Sequence, residues 1–192
     1  MTKNRLLNVV ILLCRFCKIL CIVLFVALTA LFIHIQIDSD YYKALNIQIK
    51  GGAEVGISTT HTWRLDGQDV PAHENIFRLD KLTLSSLYIQ YIRYSAILVF
   101  IFLCFKEFQL VVESVTKTQT FNKRNVTSFV RLGKYLFILF LLYSYSIFVF
   151  EQGELSIINI AFIPFVMMLL SFVLAEIFKE GNQLSEENEL TV

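Results

Sequence analysis

Residues 19–37 read Ile-Leu-Cys-Ile-Val-Leu-Phe-Val-Ala-Leu-Thr-Ala-Leu-Phe-Ile-His-Ile-Gln-Ile, a run without a formally charged side chain. At about 1.5 Å of rise per residue, such a helix nearly crosses a hydrocarbon core of about 30 Å. Three further apolar runs follow at Tyr88–Phe105, Tyr135–Phe150 and Leu155–Phe178, and only Arg93 seriously interrupts one of them. The four runs predict an all-α membrane protein with four transmembrane helices and a single membrane domain over residues 1–192.

The overall composition agrees with a membrane location. The chain is 56% hydrophobic with a mean hydropathy of +0.62, and its apolar residues are massed into runs. A soluble domain of this length would spread them in stripes along amphipathic helices or strands. No Ala-x-Ala site follows the first run, so we predict an uncleaved helix that residues Leu6–Cys17 extend backwards.

The basic residues near the runs predict the orientation. Lys3, Arg5, Arg15 and Lys18 precede or open the first run without an acid, and the connection 106–134 carries six bases against two acids. The loop 38–87 has five bases against seven acids, and the connection after the third run has only Glu151 and Glu154. We therefore expect both termini in the cytoplasm (N-in/C-in), with 106–134 and the acidic tail 179–192 cytoplasmic and the loop 38–87 outside.

The outer loop carries β-strand signals. Residues 45–50 alternate apolar and polar side chains, Gly51-Gly52 supplies a turn, and 55–65 is rich in β-branched and aromatic residues. This pattern predicts a small β-rich extracytoplasmic loop between helices 1 and 2. Pro164 falls midway in the fourth run, where it predicts a kink.

Several polar side chains lie at the predicted outer ends of the helices: His34, Gln90, Arg93, Tyr143, Tyr145 and Asn159. Because a cation inside a membrane is costly, Arg93 needs partners or water. One interpretation is a pocket for a small ligand or lipid headgroup, as in a small transporter or channel-like subunit. The commoner one is interhelical hydrogen bonding with a snorkelling arginine.

Nothing in the sequence predicts an enzyme, a cofactor or a metal site. Cys14, Cys17 and Cys21 share one helix face, with Cys104 at the same side of the membrane, but no histidine lies near them. Small apolar residues at helix contacts explain these cysteines more simply than a metal site. The cytoplasmic bases lack interleaved aromatic residues, so they fit the anionic lipid bilayer rather than direct nucleic-acid binding.

The acidic tail carries apolar residues among its charges, namely Leu184, Leu190 and Val192. A segment of this kind can dock on a basic partner surface. Two segments also resemble a known family: Thr120-Phe-Asn-Lys-Arg-Asn125 with Val130-Arg-Leu-Gly-Lys134, and Ile177-Phe-Lys-Glu-Gly181 with Leu184 and Glu187-Asn-Glu-Leu-Thr-Val192. They resemble the bacterial membrane proteins catalogued as domain of unknown function 2975, although Thr120 stands where that family usually has proline.

The resemblance implies a function that needs binding alone. Members of the family are thought to be encoded beside a small helix-turn-helix regulator, which implies a non-enzymatic sensor or anchor in the bacterial cytoplasmic (inner) membrane that partners a cytoplasmic regulator. The oligomeric state stays open. The residues expected to bind this partner are Phe178, Gly181, Leu184, Glu187, Asn188, Glu189, Leu190, Asn125 and Gly133.

Overall fold

Four long helices make up most of the chain. The computed structural model describes residues 2–38, 41, 57–64, 79–117 and 121–190. The helices are α1 (Thr2–Ile37), α2 (Leu84–Thr116), α3 (Lys123–Ser144) and α4 (Phe162–Leu190), and the short 3₁₀ helix Leu79–Lys81 precedes α2.

All four helices are long and apolar enough to cross a membrane. In the most apolar 18-residue stretch of α1, only 11% is buried inside the protein, and the same share is buried in that of α4. Side chains such as Leu12, Val26 and Val173 are more than half exposed. An outward apolar surface of this extent needs hydrocarbon rather than water around it, which confirms the prediction of a multi-pass membrane protein.

Three strands form one antiparallel sheet: β1 (Ile57–Arg64), β2 (Tyr145–Val149) and β3 (Gly153–Ile160), in the order β1-β3-β2. Along β1 the register runs from Ile57 opposite Ile160 to Arg64 opposite Gly153. The Phe150 N–H donates to the Gly153 carbonyl at 2.8 Å and closes the turn between β2 and β3. Both the connection after α1 and the connection after α3 therefore contribute to the same sheet.

The sheet corrects two predicted helix boundaries. The third run was expected to be helical to Phe150 and the fourth from Leu155, but residues 145–149 and 153–160 are strands. The third helix begins at Lys123 and ends at Ser144, and the fourth begins at Phe162. Hydropathy alone does not separate a buried apolar strand from a helix of the same composition. The strand predicted at 45–50 and its Gly51-Gly52 turn lie outside the described residues.

The kink predicted at Pro164 is wrong for a related reason. Because α4 begins at Phe162, Pro164 stands in its first turn. The first N–H groups of a helix have no intrahelical partner, so a proline there removes no hydrogen bond. Ser171, deeper in the helix, donates its hydroxyl to the Met167 carbonyl at 2.8 Å, as expected for a buried serine in a membrane helix.

The chain divides into two compact units, each with its own core. We call Leu24–Ile97 with Phe140–Phe162 the sheet unit, and Met1–Val23, Leu98–Leu139 and Ile163–Val192 the tail unit. The sheet unit buries Phe148, Phe150, Leu155 and Ile157, with Leu82 packed against them. The tail unit buries Val111, Phe129 and Ala175, with Val130, Leu132 and Phe178 against them.

Candidate functional site

The acidic tail is the continuation of helix α4. Instead of ending where the apolar run ends, α4 continues through the tail as far as Leu190. Its residues favour this, because Glu, Gln and Leu are good helix formers and the Lys179 ammonium pairs with the Glu176 carboxylate at 2.8 Å, one turn earlier. The tail is thus a helix with distinct faces.

One face of the tail helix packs on the beginning of α3. The ring of Phe178 lies 5.6 Å from that of Phe121 and 4.9 Å from that of Phe129, measured between centroids. At Gly181 a side chain would collide with the Phe121 ring, so a residue with no side chain lets this ring lie against the helix. Phe178 and Gly181, both in the second motif, therefore contact Phe121 of the first motif.

Two later residues of the first motif, Asn125 and Gly133, are buried. Asn125 is 1% exposed, and its Nδ2 donates to the Ser114 Oγ of α2 at 3.0 Å. Asn122 caps α3, since its Oδ1 accepts a hydrogen bond from the Arg124 N–H at 3.0 Å. At Gly133 an added Cβ would stand 2.8 Å from the ring of Phe172 on α4. These residues join α2, α3 and α4 within the tail unit.

Polar contacts also hold the tail helix. Lys123 Nζ lies 2.9 Å from Glu186 Oε1, which also accepts a hydrogen bond from the buried Asn182 Nδ2 at 3.0 Å. Both members of the ion pair are more than half exposed, so it contributes little to stability beside the phenylalanine packing.

The opposite face of the tail helix is exposed. Glu180, Leu184 and Glu187 follow each other at intervals of four and three residues, so they form one stripe. All three are exposed, Leu184 by 61%. We call them the tail stripe: two carboxylates flanking one leucine. Asn188, Glu189 and Leu190 continue the helix, and their side chains lie outside the described residues.

In the sheet unit, Arg93 supports the end of helix α3. Its Nε donates to the Leu142 carbonyl at 2.9 Å, its Nη1 donates to the Gln90 Oε1 at 3.2 Å, and its guanidinium stands 5.4 Å from the centre of the Tyr94 ring. Leu142 is in the last turn of α3, whose carbonyls have no partner within the helix. A cation at the carbonyl end of a helix is also favoured by the helix dipole.

Three neighbouring side chains complete the edge of β2. Val149 N–H donates to the buried Ser86 Oγ at 3.1 Å, and the Val149 carbonyl accepts from the N–H and the hydroxyl of Thr83, each at 3.0 Å. Gln90 Nε2 donates to the Ile147 carbonyl. A free strand edge exposes unpaired backbone groups, and these bonds satisfy them. Gln90 and Arg93 are thus bound to main-chain atoms of the same unit.

The remaining residues of the predicted ligand pocket take no part in these hydrogen bonds, although Tyr143 lies near enough to Arg93 to interact with its charge. His34 is exposed, with its ring 5.9 Å from that of Tyr41, and Tyr143 and Tyr145 are also exposed. Asn159 is on β3, and its buried Oδ1 accepts no hydrogen bond from any described residue. Among residues 2–38, 41, 57–64, 79–117 and 121–190, no three His, Cys, Asp or Glu side chains group as metal ligands.

The sheet unit contains a cavity that the sequence did not predict, of about 270 Å³. Gln90 is the one residue of the predicted pocket among its walls, which are otherwise nearly all apolar or aromatic. The side chains that line it are Leu28, Leu31, Phe32, Ile35, Leu79, Leu82, Leu87, Gln90, Tyr91, Tyr94 and Phe148. These side chains come from four separate elements, so no local sequence pattern predicts that they line one cavity.

A family model described as "Protein of unknown function (DUF2975)" matches residues 70–192, well over half of the chain and including both motifs. No curated protein and no solved structure matched the chain. The resemblance read from Phe121, Asn125, Gly133, Phe178 and Gly181 is confirmed, and the chain belongs to the DUF2975 family.

Proposed function

We propose that this protein is a non-enzymatic anchor in the bacterial cytoplasmic membrane that binds a small cytoplasmic helix-turn-helix regulator through its tail stripe. The observation that carries the proposal is the exposed face of the tail helix, Glu180, Leu184 and Glu187. The opposite face packs against Phe121 and α3 through Phe178 and Gly181, whereas the stripe is exposed.

The chemistry of the stripe defines the surface that it would recognise. Two carboxylates on either side of one leucine match a shallow apolar pocket bordered by lysine or arginine. A DNA-binding protein carries a basic surface for phosphates. An acidic helix on that surface would compete with DNA, so binding alone is sufficient to control the regulator.

The charge distribution supports a cytoplasmic tail. The described bases concentrate around the tail unit: Arg5, Arg15 and Lys18 on α1, and Lys106, Lys117, Lys123, Arg124, Arg131 and Lys134 on α2, α3 and their connection. Basic residues beside membrane helices favour the cytoplasmic side. The pairing of β1 with β3 also agrees with an even number of crossings, since it needs the connections after α1 and α3 on one side.

Crosslinking in intact membranes tests the proposal. Cells carrying the full chain are crosslinked, and the captured proteins are identified by mass spectrometry. The double variant Glu180→Lys with Glu187→Lys, and separately Leu184→Asp, should lose a DNA-binding protein that the wild type captures. Ser185→Ala is the matched control, because Ser185 is exposed on the same helix away from the stripe.

The outcomes separate the proposal from its alternatives. Capture that survives both stripe variants, at normal membrane abundance, contradicts the role of the tail stripe. A fusion of alkaline phosphatase to the C-terminus that is active, which requires export from the cytoplasm, contradicts the orientation.

A further inference from the structure

The cavity of the sheet unit has walls from which polar groups are almost absent. Leu28, Phe32 and Ile35 come from α1, Leu87 from α2 and Phe148 from β2. Two of the lining rings, Phe32 and Tyr91, stack with centroids 4.2 Å apart, and Tyr88 meets Phe32 edge-on at 5.1 Å.

Most of the polar groups at the cavity are already hydrogen-bonded. The Tyr91 hydroxyl lies 3.2 Å from the Thr29 Oγ1, and the Gln90 amide bonds to Ile147 and Arg93. A buried water needs two to four polar partners, and among the described residues only Gln90, Tyr91 and Tyr94 bring polar side-chain groups to these walls. The cavity volume is about 270 Å³, and because its walls are almost all apolar, the site suits an apolar occupant.

The position of the cavity indicates which apolar molecule surrounds it and could occupy it. Its lining residues on α1 and α2 lie inside the candidate membrane spans Arg5–Ile37 and Leu84–Thr116. From Leu28 to the end of α1 at Ile37, and from Tyr94 back to the start of α2, the distance is about 15 Å along the helix axis. This distance is at most half of a hydrocarbon core of about 30 Å. A cavity at this depth therefore faces the acyl chains of one leaflet.

We propose that this cavity is a binding site for one acyl chain of a bilayer phospholipid, held between α1, α2 and β2. The chain lies against Leu28, Phe32 and Phe148, and the Phe32–Tyr91 stack forms its rigid side. The site does not depend on the regulator proposed above, because it uses only residues of the sheet unit.

Photolabelling tests the site. The purified full chain is reconstituted into phosphatidylcholine vesicles that contain a phosphatidylcholine with a diazirine in one acyl chain, and labelled peptides are mapped after irradiation. Phe148 is 8% exposed and lines the cavity, so label on its peptide reports a chain inside. In the filled variants Leu28→Trp and Ile35→Trp this label should fall to background. Val26→Trp is the matched control, because Val26 is 62% exposed on α1 and lies outside the cavity wall.

Two results would overturn the proposal. One is a wild-type Phe148 peptide without label. The other is equal label in both filled variants while their circular dichroism matches that of the wild type. Native mass spectrometry of the wild type released from the same vesicles supplies a second readout: a phospholipid adduct that Leu28→Trp lacks is expected. A free fatty-acid adduct in its place, or none, contradicts a phospholipid chain as the occupant.

Discussion

In the tail unit, Phe121, Phe129 and Phe178 pack ring against ring, whereas in the sheet unit Ser86, Gln90 and Arg93 bond to main-chain atoms. The first arrangement joins regular helices through the shapes of their side chains. The second is needed where α3 turns directly into β2 and leaves backbone groups without partners. The aromatic motif residues of the tail unit thus fill space, and the polar residues of the sheet unit complete hydrogen bonds.

The largest expected effect tests the packing of the tail unit. Phe129 is 5% exposed within its core, and Phe129→Ala should lower the free energy of unfolding by about 3–5 kcal/mol, since it removes buried contacts and leaves a cavity. Detergent unfolding followed by circular dichroism measures this. Phe137→Ala on the same helix is the control, because Phe137 is 46% exposed and should cost far less. An equal loss of stability in Phe129→Ala and Phe137→Ala would mean that the buried Phe129 stabilises the protein no more than an exposed ring does.

A smaller effect tests the hydrogen bonds of the sheet unit. Arg93→Met keeps much of the side-chain length but leaves the Leu142 carbonyl and the Gln90 amide oxygen without their donor, at a cost of about 1–3 kcal/mol. Lys106→Met removes an exposed cation from the same helix and should leave stability unchanged.

The same variants address the alternative function of a small transporter or channel-like subunit. If Arg93→Met unfolds like Lys106→Met but changes solute flux in vesicles, Arg93 serves a pathway rather than the end of α3. If it loses stability and flux is the same as in the wild type, its hydrogen bonds are its main role.

The smallest effect concerns the exposed ion pair of the tail unit. Lys123→Met breaks the contact with Glu186, and because both groups are in water, we expect no measurable change in the unfolding midpoint. The phenylalanine rings continue to hold the tail helix. A clear loss of stability at low salt that disappears at high salt would show that charge, not packing, fixes this helix.

The helices were predictable because their signals are long. Residues 19–37 form an unbroken apolar run, and the extension of α1 through Leu6–Cys17 is confirmed by a helix from Thr2 to Ile37. The two motifs predicted the family from few residues. Their contact across the tail unit was not predictable, because nothing in the spacing of Phe121 and Phe178 says that their rings meet.

The change from helix to strand was missed because the apolar residues of β2 and β3 continue those of the spans beside them. Two signals could have located it. Polar and apolar residues alternate along Glu154-Leu155-Ser156-Ile157, and Gln152-Gly153 lies at the turn between the two strands. Pro164 is typical of a first helical turn and would have placed the start of α4 near Phe162.

The ligand pocket was predicted from the depth of its polar residues in the membrane. Depth alone does not show in which direction each side chain points. Gln90 and Arg93 point toward backbone atoms of α3 and β2, while Tyr143 and Tyr145 are exposed. The partner residues divide in the same way: Asn125 and Gly133 are buried, and Leu184 and Glu187 are exposed. If the contact of Phe178 and Gly181 with Phe121 had been known, helical spacing would have predicted that Leu184 and Glu187 lie on the other face of the tail helix.

The pairing of β1 with β3 imposes an order on biosynthesis. About 90 residues separate Arg64 from its partner Gly153, which at about 5–20 residues per second means that β1 waits roughly 5–20 s for its neighbour. During that time α2 and α3, two of the four candidate membrane crossings, are synthesised. β1 and β3 therefore pair only after the connection that follows α3 has been synthesised. A chain interrupted before Gly153 leaves β1 without β3 and open to pairing with other chains.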